Sequence, residues 1–262
     1  MKVLAVYSVK GGVGKTTAAV NLAWLSAAGG HRTVLCDLDP QGAASYLVGA
    51  KPRMKGGASA FVHRERPIEQ ALKLTAHELL DVLPADFSFR NLDLELSSFN
   101  KPTRRLRKVL TPLEETYDFA VLDAPAGIGL LSETVLAAAD VVALPLVPST
   151  LSVRTLEQLT TFMGEMEKPP RVCAFFSMVD RRRAAHKELI ERLPHERDDV
   201  LPVEIPYAAV VEQMADRQAP VVAYAPKSPA AQAYEQLWLK LRVELARDPE
   251  PSRSGGDERE GE

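Results

Sequence analysis

An apolar run, KVLAVYS (Lys2 to Ser8), passes without a break into SVKGGVGKTT (Ser8 to Thr17) and then into a helix-forming stretch. A run that is apolar nearly throughout is the pattern of a strand in a parallel sheet covered on both faces. Glycines at 11, 12 and 14 let successive backbone amides converge on one point with no Cβ in the way. The helix expected from about Lys15 to Ala28 aims its free N–H groups and the positive end of its dipole at that same point. Gly29 and Gly30 end it. Strand, loop and helix together make an anion cradle.

The cradle has the chemistry of a phosphate loop. Lys15 can reach the β- and γ-phosphates of a nucleotide, and the Thr16 hydroxyl can ligate Mg²⁺. The loop departs from the ordinary pattern, which wants glycine five positions before the Gly14-Lys15 pair; Val9 stands there, with a second lysine, Lys10, beside it. Lys10 is either a solvated loop residue or a cation held for negative charge. Its own nucleotide already has Lys15, so a partner subunit's nucleotide is the target that gives Lys10 a purpose.

Strand and helix alternate along the rest of the chain. TVLCDLD (Thr33 to Asp39) reads as a second buried strand. Further strands are expected at Leu79 to Leu83, Phe119 to Asp123, Val141 to Pro145, Val172 to Met178 and Val200 to Ile205. Helices are expected around Pro67 to Leu74, Asn91 to Phe99, Thr103 to Glu115, Ser152 to Glu167, Ala184 to Leu193 and Pro229 to Arg247. Pro40 to about Pro67 reads as irregular, because Gly49, Pro52, Gly56 and Gly57 break any period. The expected fold is α/β: a mostly parallel twisted sheet flanked by helices on both faces, with right-handed crossovers. One domain is expected over residues 1–246. An acidic tail, 247–262, follows it and is expected to be disordered, since DPEPSRSGGDEREGE has no aliphatic or aromatic side chain to bury.

Composition removes several other classes. The chain has 262 residues with 32 basic and 35 acidic side chains. Residues 247–262 hold six carboxylates against three arginines, which leaves 29 of each sign in the body. No uniformly basic coat is present, although local patches are. Two cysteines, Cys36 and Cys173, both in strand-like runs, cannot build a disulfide framework and read as buried thiols of a cytosolic protein. There is no signal peptide, no bilayer-spanning run, no HExxH or zinc-spaced Cys/His cluster, and no GxSxG elbow.

KGGVGKTT resembles the deviant Walker A motif of the ParA/MinD ATPases, in which the first lysine is the signature residue. DLDPQGAAS (Asp37 to Ser45) resembles the second acidic motif of that family in its ParA form, with Ala43 in place of the usual Asn. FAVLDAPAG (Phe119 to Gly127) resembles Walker B, and IPYAAVVEQMADRQAPVVAYAPKSPAAQAY is similar to the ParA ending. The resemblance covers most of residues 1–246 and is closest to the ParA-type, Soj-like partitioning ATPases. It implies that ATP and Mg²⁺ are the cofactors, cradled by Lys10, Gly11, Gly12, Val13, Gly14, Lys15, Thr16 and Thr17. It also implies slow ATP hydrolysis in an ATP-sandwich homodimer, with Lys10 crossing to the other subunit's phosphates.

Asp39 and Asp123 fall at the carboxyl ends of expected parallel strands, where open α/β sheets bind ligands and where a carboxylate can hold Mg²⁺ through water. The resemblance implies that Asp39 orients the attacking water and that Asp123 supports the metal shell with Thr16. Asp37 has two readings, a direct nucleotide role or a structural cap. The family places the base near Pro206 and Tyr207, which otherwise simply end a strand; the turn from Met178 to Asp180 is a further candidate.

For output, the resemblance implies nonspecific DNA binding by the ATP dimer, a ParB-like or cargo-adaptor stimulating partner, and a cytoplasmic, nucleoid-associated location. Arg181, Arg182, Arg183 and Lys187 form one candidate phosphate-contacting cluster, and Arg104, Arg105, Arg107 and Lys108 another; each is otherwise a solvated face. A MinD-like membrane switch is the alternative, which DAPAGI (Asp123 to Ile128) favours and the acidic EREGE ending opposes. ATP-coupled synthetases and cluster-binding reductases rank lower, the former because no room remains for a substrate domain, the latter because both cysteines lie in strands.

Overall fold

The computed structural model describes residues 1–247; the expected tail, apart from Arg247, lies outside the described residues. In chain order the elements are β1 (Lys2–Val6), α1 (Lys15–Ala28), β2 (Thr33–Asp37), α2 (Ala43–Leu47), α3 (Gly57–His63), β3 (Lys73–Leu74), β4 (Leu80–Leu83), α4 (Leu92–Ser97), α5 (Arg105–Leu110) and β5 (Phe119–Asp123). There follow α6 (Leu130–Ala138), β6 (Val141–Leu146), α7 (Thr150–Gly164), β7 (Arg171–Val179), α8 (Ala184–Glu196), β8 (Val200–Pro206), α9 (Ala209–Glu212), α10 (Met214–Arg217), α11 (Val221–Tyr224) and α12 (Pro229–Ala246).

The strands form one sheet in the order β3-β4-β2-β5-β1-β6-β7-β8, parallel except where β3 pairs antiparallel with β4. The strand that feeds the glycine loop therefore lies centrally, between β5 and β6. Every residue of β2 and β6 is buried, as is all of β5 after Phe119. This explains their unbroken apolar sequences: side chains alternate between two covered faces. One face is packed by α1, α11 and α12 through Leu22, Val221, Leu237 and Leu241. The other is packed by helices from α3 to α8 through Phe61, Leu96, Leu110, Val135 and Leu156.

Residues far apart in sequence close over α1. Asn21 is fully buried there, donating to the Thr17 carbonyl at 2.8 Å and the Met214 sulfur at 3.4 Å, while its Oδ1 accepts from Val222 N at 3.2 Å. Along α12 the apolar stripe of Ala230, Tyr234, Leu237, Trp238, Leu241 and Leu245 is buried in the domain. Ser228 caps that helix by accepting from Ala231 N.

Several segments differ from the sequence expectation, the short helices α9, α10 and α11 among them. The helix expected over Pro67 to Leu74 is a 3-10 turn, Ile68–Ala71, followed by edge strand β3; Ile68 is buried in the core, Ala71 and Leu72 pack only partly against it, and Lys73 and Leu74 are exposed. The helix expected over Thr103 to Glu115 is divided into a 3-10 turn, α5 and a second 3-10 turn, because Pro112 has no N–H with which to continue the ladder. The supposedly irregular Pro40–Pro67 stretch contains α2 and α3, each entered through a left-handed glycine, Gly42 and Gly56. Helix α6 was not expected: its run is almost evenly apolar and hides its period, and the Asp93 carboxylate accepts from Leu131 N at 2.6 Å at its start. Both cysteines are buried and free, as expected.

Candidate nucleotide site

The loop between β1 and α1 needs its glycines. Gly12 and Gly14 take φ of 70° and 90°, a region that costs other residues strain. A Cβ on Gly14 would stand 2.9 Å from Ser177 Oγ. That hydroxyl, at the end of β7, donates to the Val13 carbonyl at 2.8 Å and so braces the loop from behind. Lys15 opens α1 with its side chain buried, its ammonium donating to the Lys10 carbonyl at 3.3 Å. Burial lowers its pKa, while Asp123 and Asp39 act in the opposite direction.

Three aspartates approach the loop from neighbouring strands. Asp37 and Asp123 are register partners on β2 and β5, and both are fully buried. Asp37 accepts from Ser45 N and Ser45 Oγ, each at 2.7 Å, and from Asp39 N at 3.3 Å. Burial nevertheless pushes its carboxyl up to about 6, against the pull of the Ser45 bonds. Asp123 differs: neither oxygen has a hydrogen-bond partner. Burial and then the Asp37 charge push it well above the usual carboxylate range. The Thr16 hydroxyl is near enough to favour the charged form without meeting it in hydrogen-bond geometry. Asp39 is half-buried at the rim, where its Oδ1 accepts from Gln41 N at 2.9 Å.

A cavity of about 550 Å³ joins these parts. Gly11, Gly12, Gly14, Lys15, Thr16, Thr17 and Asp39 line one side, and Pro206 and Tyr207 line it beyond β8. Met178 also lines it, with φ of 54°. Tyr207 is 59% exposed, and its hydroxyl donates to Glu212 Oε1 at 2.9 Å. Val13, Lys10 and Asp123 are not among the wall residues: the Val13 carbonyl accepts from Ser177 Oγ, Lys10 is half-buried, and Asp123 is fully buried. Sequence reasoning did not name Tyr46, Leu47, Ser177 or Met214, which also line the cavity. Of these only Ser177 carried a signal, as a hydroxyl at the end of an otherwise apolar strand.

A buried carboxylate with no partner costs free energy unless a cation or donor meets it. Here the Asp123 oxygens lie beside the Thr16 hydroxyl, below a backbone cradle for anions. The donor set of Thr16, Asp39 and Asp123 is all hard oxygen, with too few protein ligands for a closed metal cage. That suits Mg²⁺, which keeps several waters and shares phosphate oxygens. Among the described residues no group of three or more His, Cys, Asp and Glu is arranged to hold a metal by itself.

The basic clusters are largely engaged with the protein. Arg181 makes two bonds to Glu204, at 2.9 and 2.6 Å, and Arg182 two to Asp180, at 2.8 and 2.9 Å; Arg183 and Lys187 are exposed. Arg104 pairs with Glu167, Arg107 with Glu114 and Asp140, and Arg105 donates to the Val62 carbonyl. Lys108 is exposed.

The family described as the AAA domain matches residues 1–172. The chromosome partitioning protein ParA of Myxococcus xanthus is 31% identical over 247 residues, covering 92% of this chain and 87% of that protein. The chromosome-partitioning ATPase Soj of Treponema pallidum is 29% identical over 255 residues, covering 94% and 98%. Among solved structures, cobyrinic acid a,c-diamide synthase from Mycobacterium smegmatis superposes with a TM-score of 0.76 at 24% identity, covering 94% of this chain and 95% of that one. The same protein has also been solved with an ATP analog and magnesium. At this identity the likeness shows the fold, and it runs over nearly the whole of both chains.

Proposed function

This chain belongs to the AAA-domain family as a ParA/MinD-type ATPase, and we propose that it is an ATP-dependent dimerising switch that binds DNA nonspecifically as the ATP dimer, to partition DNA or position a protein cargo. The observation that carries the nucleotide part is the unpartnered, fully buried Asp123 carboxylate beside Thr16, under a cradle that only glycine can form at Gly14. Gly11 to Thr17 bind the phosphates of ATP, and Thr16, Asp39 and Asp123 hold Mg²⁺ directly or through water. When bound, Mg²⁺ neutralises charge on the phosphate oxygens. Asp39, fixed by Gln41 N, orients the attacking water. Pro206 and Tyr207 border the base.

Lys10 supports the dimeric half of the proposal. It stands outside the cavity wall while its own carbonyl accepts from Lys15. Its ammonium is therefore available to a nucleotide on another subunit, and hydrolysis waits for the dimer and for a ParB-like or cargo-adaptor partner. Of the cluster expected to meet DNA, Arg183 and Lys187 keep exposed charges. The protein then works on the nucleoid in the cytoplasm. A membrane role finds less support: the apolar stripe of α12 is already packed into the domain.

The test compares retention on arbitrary duplex DNA with sedimentation on anionic liposomes, each in Mg-ATP and Mg-ADP. ATP-dependent retention on DNA supports the proposal. ATP-dependent liposome binding without DNA binding replaces it with the membrane switch.

A further inference from the structure

The described surface has a third group of cations that neither sequence cluster contains. Lys51, Arg53, Lys55, Arg64 and Arg66 lie between the Asp39 loop and the 3-10 turn at Ile68, against only Glu65 and Glu69 as far as residue 69. All five are exposed, and no ion pair joins any of them to another described residue. The other two clusters, by contrast, commit most of their arginines to carboxylates.

The group is brought together by the fold. Lys55, Arg64 and Arg66 share the rim of a depression of about 570 Å³, with Glu65 and Glu69 on the same rim. Arg66 Nε comes within 3.8 Å of where a Cβ on Gly56 would be. Arg64 stands close enough to Arg105 that burial and then this second cation lower the Arg105 guanidinium's pKa. Two like charges held together with no carboxylate between them are unfavourable until an anion arrives. The scaffold beneath is pinned: Asp86 accepts from Met54 N at 3.1 Å, and Ser88 Oγ accepts from Ala58 N at 2.8 Å. Arg53 is within electrostatic reach of Asp86 but forms no ion pair with it.

Two features decide between classes of partner. None of the large exposed apolar side chains lies between residues 51 and 69, and Met54, Phe61 and Ile68, which line the depression, are themselves buried. Its segment offers spaced cations with no exposed aromatic of its own, the nearest in the scaffold being Phe87, which Arg90 covers; that suits a phosphate backbone read without sequence. The segment also adjoins the nucleotide site: a Cβ on Gly42, three residues after Asp39, would stand 2.5 Å from Pro52 Cβ. A shift of the Asp39 loop is thus transmitted directly to the residue between Lys51 and Arg53.

We propose that the surface built by Lys51, Arg53, Lys55, Arg64 and Arg66 is a docking site for the sugar-phosphate backbone of duplex DNA, mechanically joined to the Asp39 loop. The assignment rests on the DNA-binding reading above and locates it apart from Arg183 and Lys187, on segments that follow β2 rather than β7. The test is fluorescence anisotropy of a labelled arbitrary duplex in Mg-ATP, with wild type, Arg53→Ala/Arg64→Ala/Arg66→Ala, and Arg181→Ala/Arg182→Ala/Arg183→Ala. The first triple variant should bind about tenfold or more weakly at physiological salt, its log–log salt slope flatter by about 0.9 for each phosphate no longer neutralised. Its ATP-dependent dimerisation and basal ATP turnover should be unchanged, since none of the three side chains touches the nucleotide cavity. Wild-type affinity in that variant overturns this surface and leaves the DNA reading standing. Failure of the wild-type ATP dimer to bind any duplex overturns the reading itself. Binding to poly-glutamate but not to duplex overturns both and gives the surface to an acidic protein.

Discussion

Asp37 should make the nucleotide-free protein lose stability as pH rises. Its carboxyl is buried on β2 beside Asp123, and burial lifts it from 3.8 to about 6. Between those values the folded chain keeps a proton that the unfolded chain has released. The folded state then binds more protons, so the free energy of unfolding falls with pH. The stabilisation is complete below about pH 4 and lost by about pH 6. At about 1.4 kcal/mol per pH unit this comes to about 3 kcal/mol, or about 6–12 °C in Tm for a chain of this size. Asp123 is displaced in the same direction and extends the decline upward. Asp180, lowered to about 2 by its bonds to Arg182, acts with the opposite sign but only below about pH 4, outside this window. The assay is thermal unfolding of wild type and Asp37→Asn from pH 4 to 7.5, without nucleotide or Mg²⁺. Asp37→Asn should gain relative to wild type across the window, after a constant offset of about 1 kcal/mol for disturbed bonds to Ser45 and Asp39 N. Parallel pH profiles for the two proteins would falsify the argument.

Other outcomes follow from the same geometry. Gly14→Ala should cost about 2–3 kcal/mol, from a Cβ at φ 90° and a displaced Ser177–Val13 bond, and abolish nucleotide binding; a urea midpoint equal to wild type would refute the steric account. Lys10→Ala should retain nucleotide affinity by calorimetry yet lose ATP-dependent dimerisation and turnover. A monomer hydrolysing ATP at a concentration-independent rate would show that Lys10 does not act in trans. Asp39→Ala should bind ATP and accumulate as the dimer on gel filtration, with turnover down about 100-fold or more; normal turnover would remove Asp39 from the chemistry.

How far the sequence foretold this site depended on how local each signal was. The glycine loop, Lys15 and the strand bearing Asp123 were readable because φ above zero and full burial each impose a residue type at a known spacing. Helix α1 runs from Lys15 to Ala28, as expected, because Gly14 and Gly29 punctuate it. Asp37 had two readings, and the bonds from Ser45 N and Oγ show it tying α2 to β2. That pairing needs Ser45 folded back over the strand end, which no periodicity encodes. Ser177 was unreadable for a similar reason: its partner, Val13, is 164 residues away. The arginines at 181 and 182 read as a free patch in the sequence, whereas the fold sets Glu204 and Asp180 beside them. Charge is legible in one dimension; neutralisation is not.

The closure of α1 by Asn21 sets a timetable for synthesis. Its bond partner Val222 lies 201 residues later, and the α12 side chains that cover the same face come later still. At about 5–20 residues per second a ribosome needs about 10–40 s to travel that distance. Throughout that interval the helix that begins in the phosphate loop has its apolar side, Leu22 and Ala23 included, without its eventual cover. Nascent chains of this protein should accordingly be clients of ribosome-associated holdases.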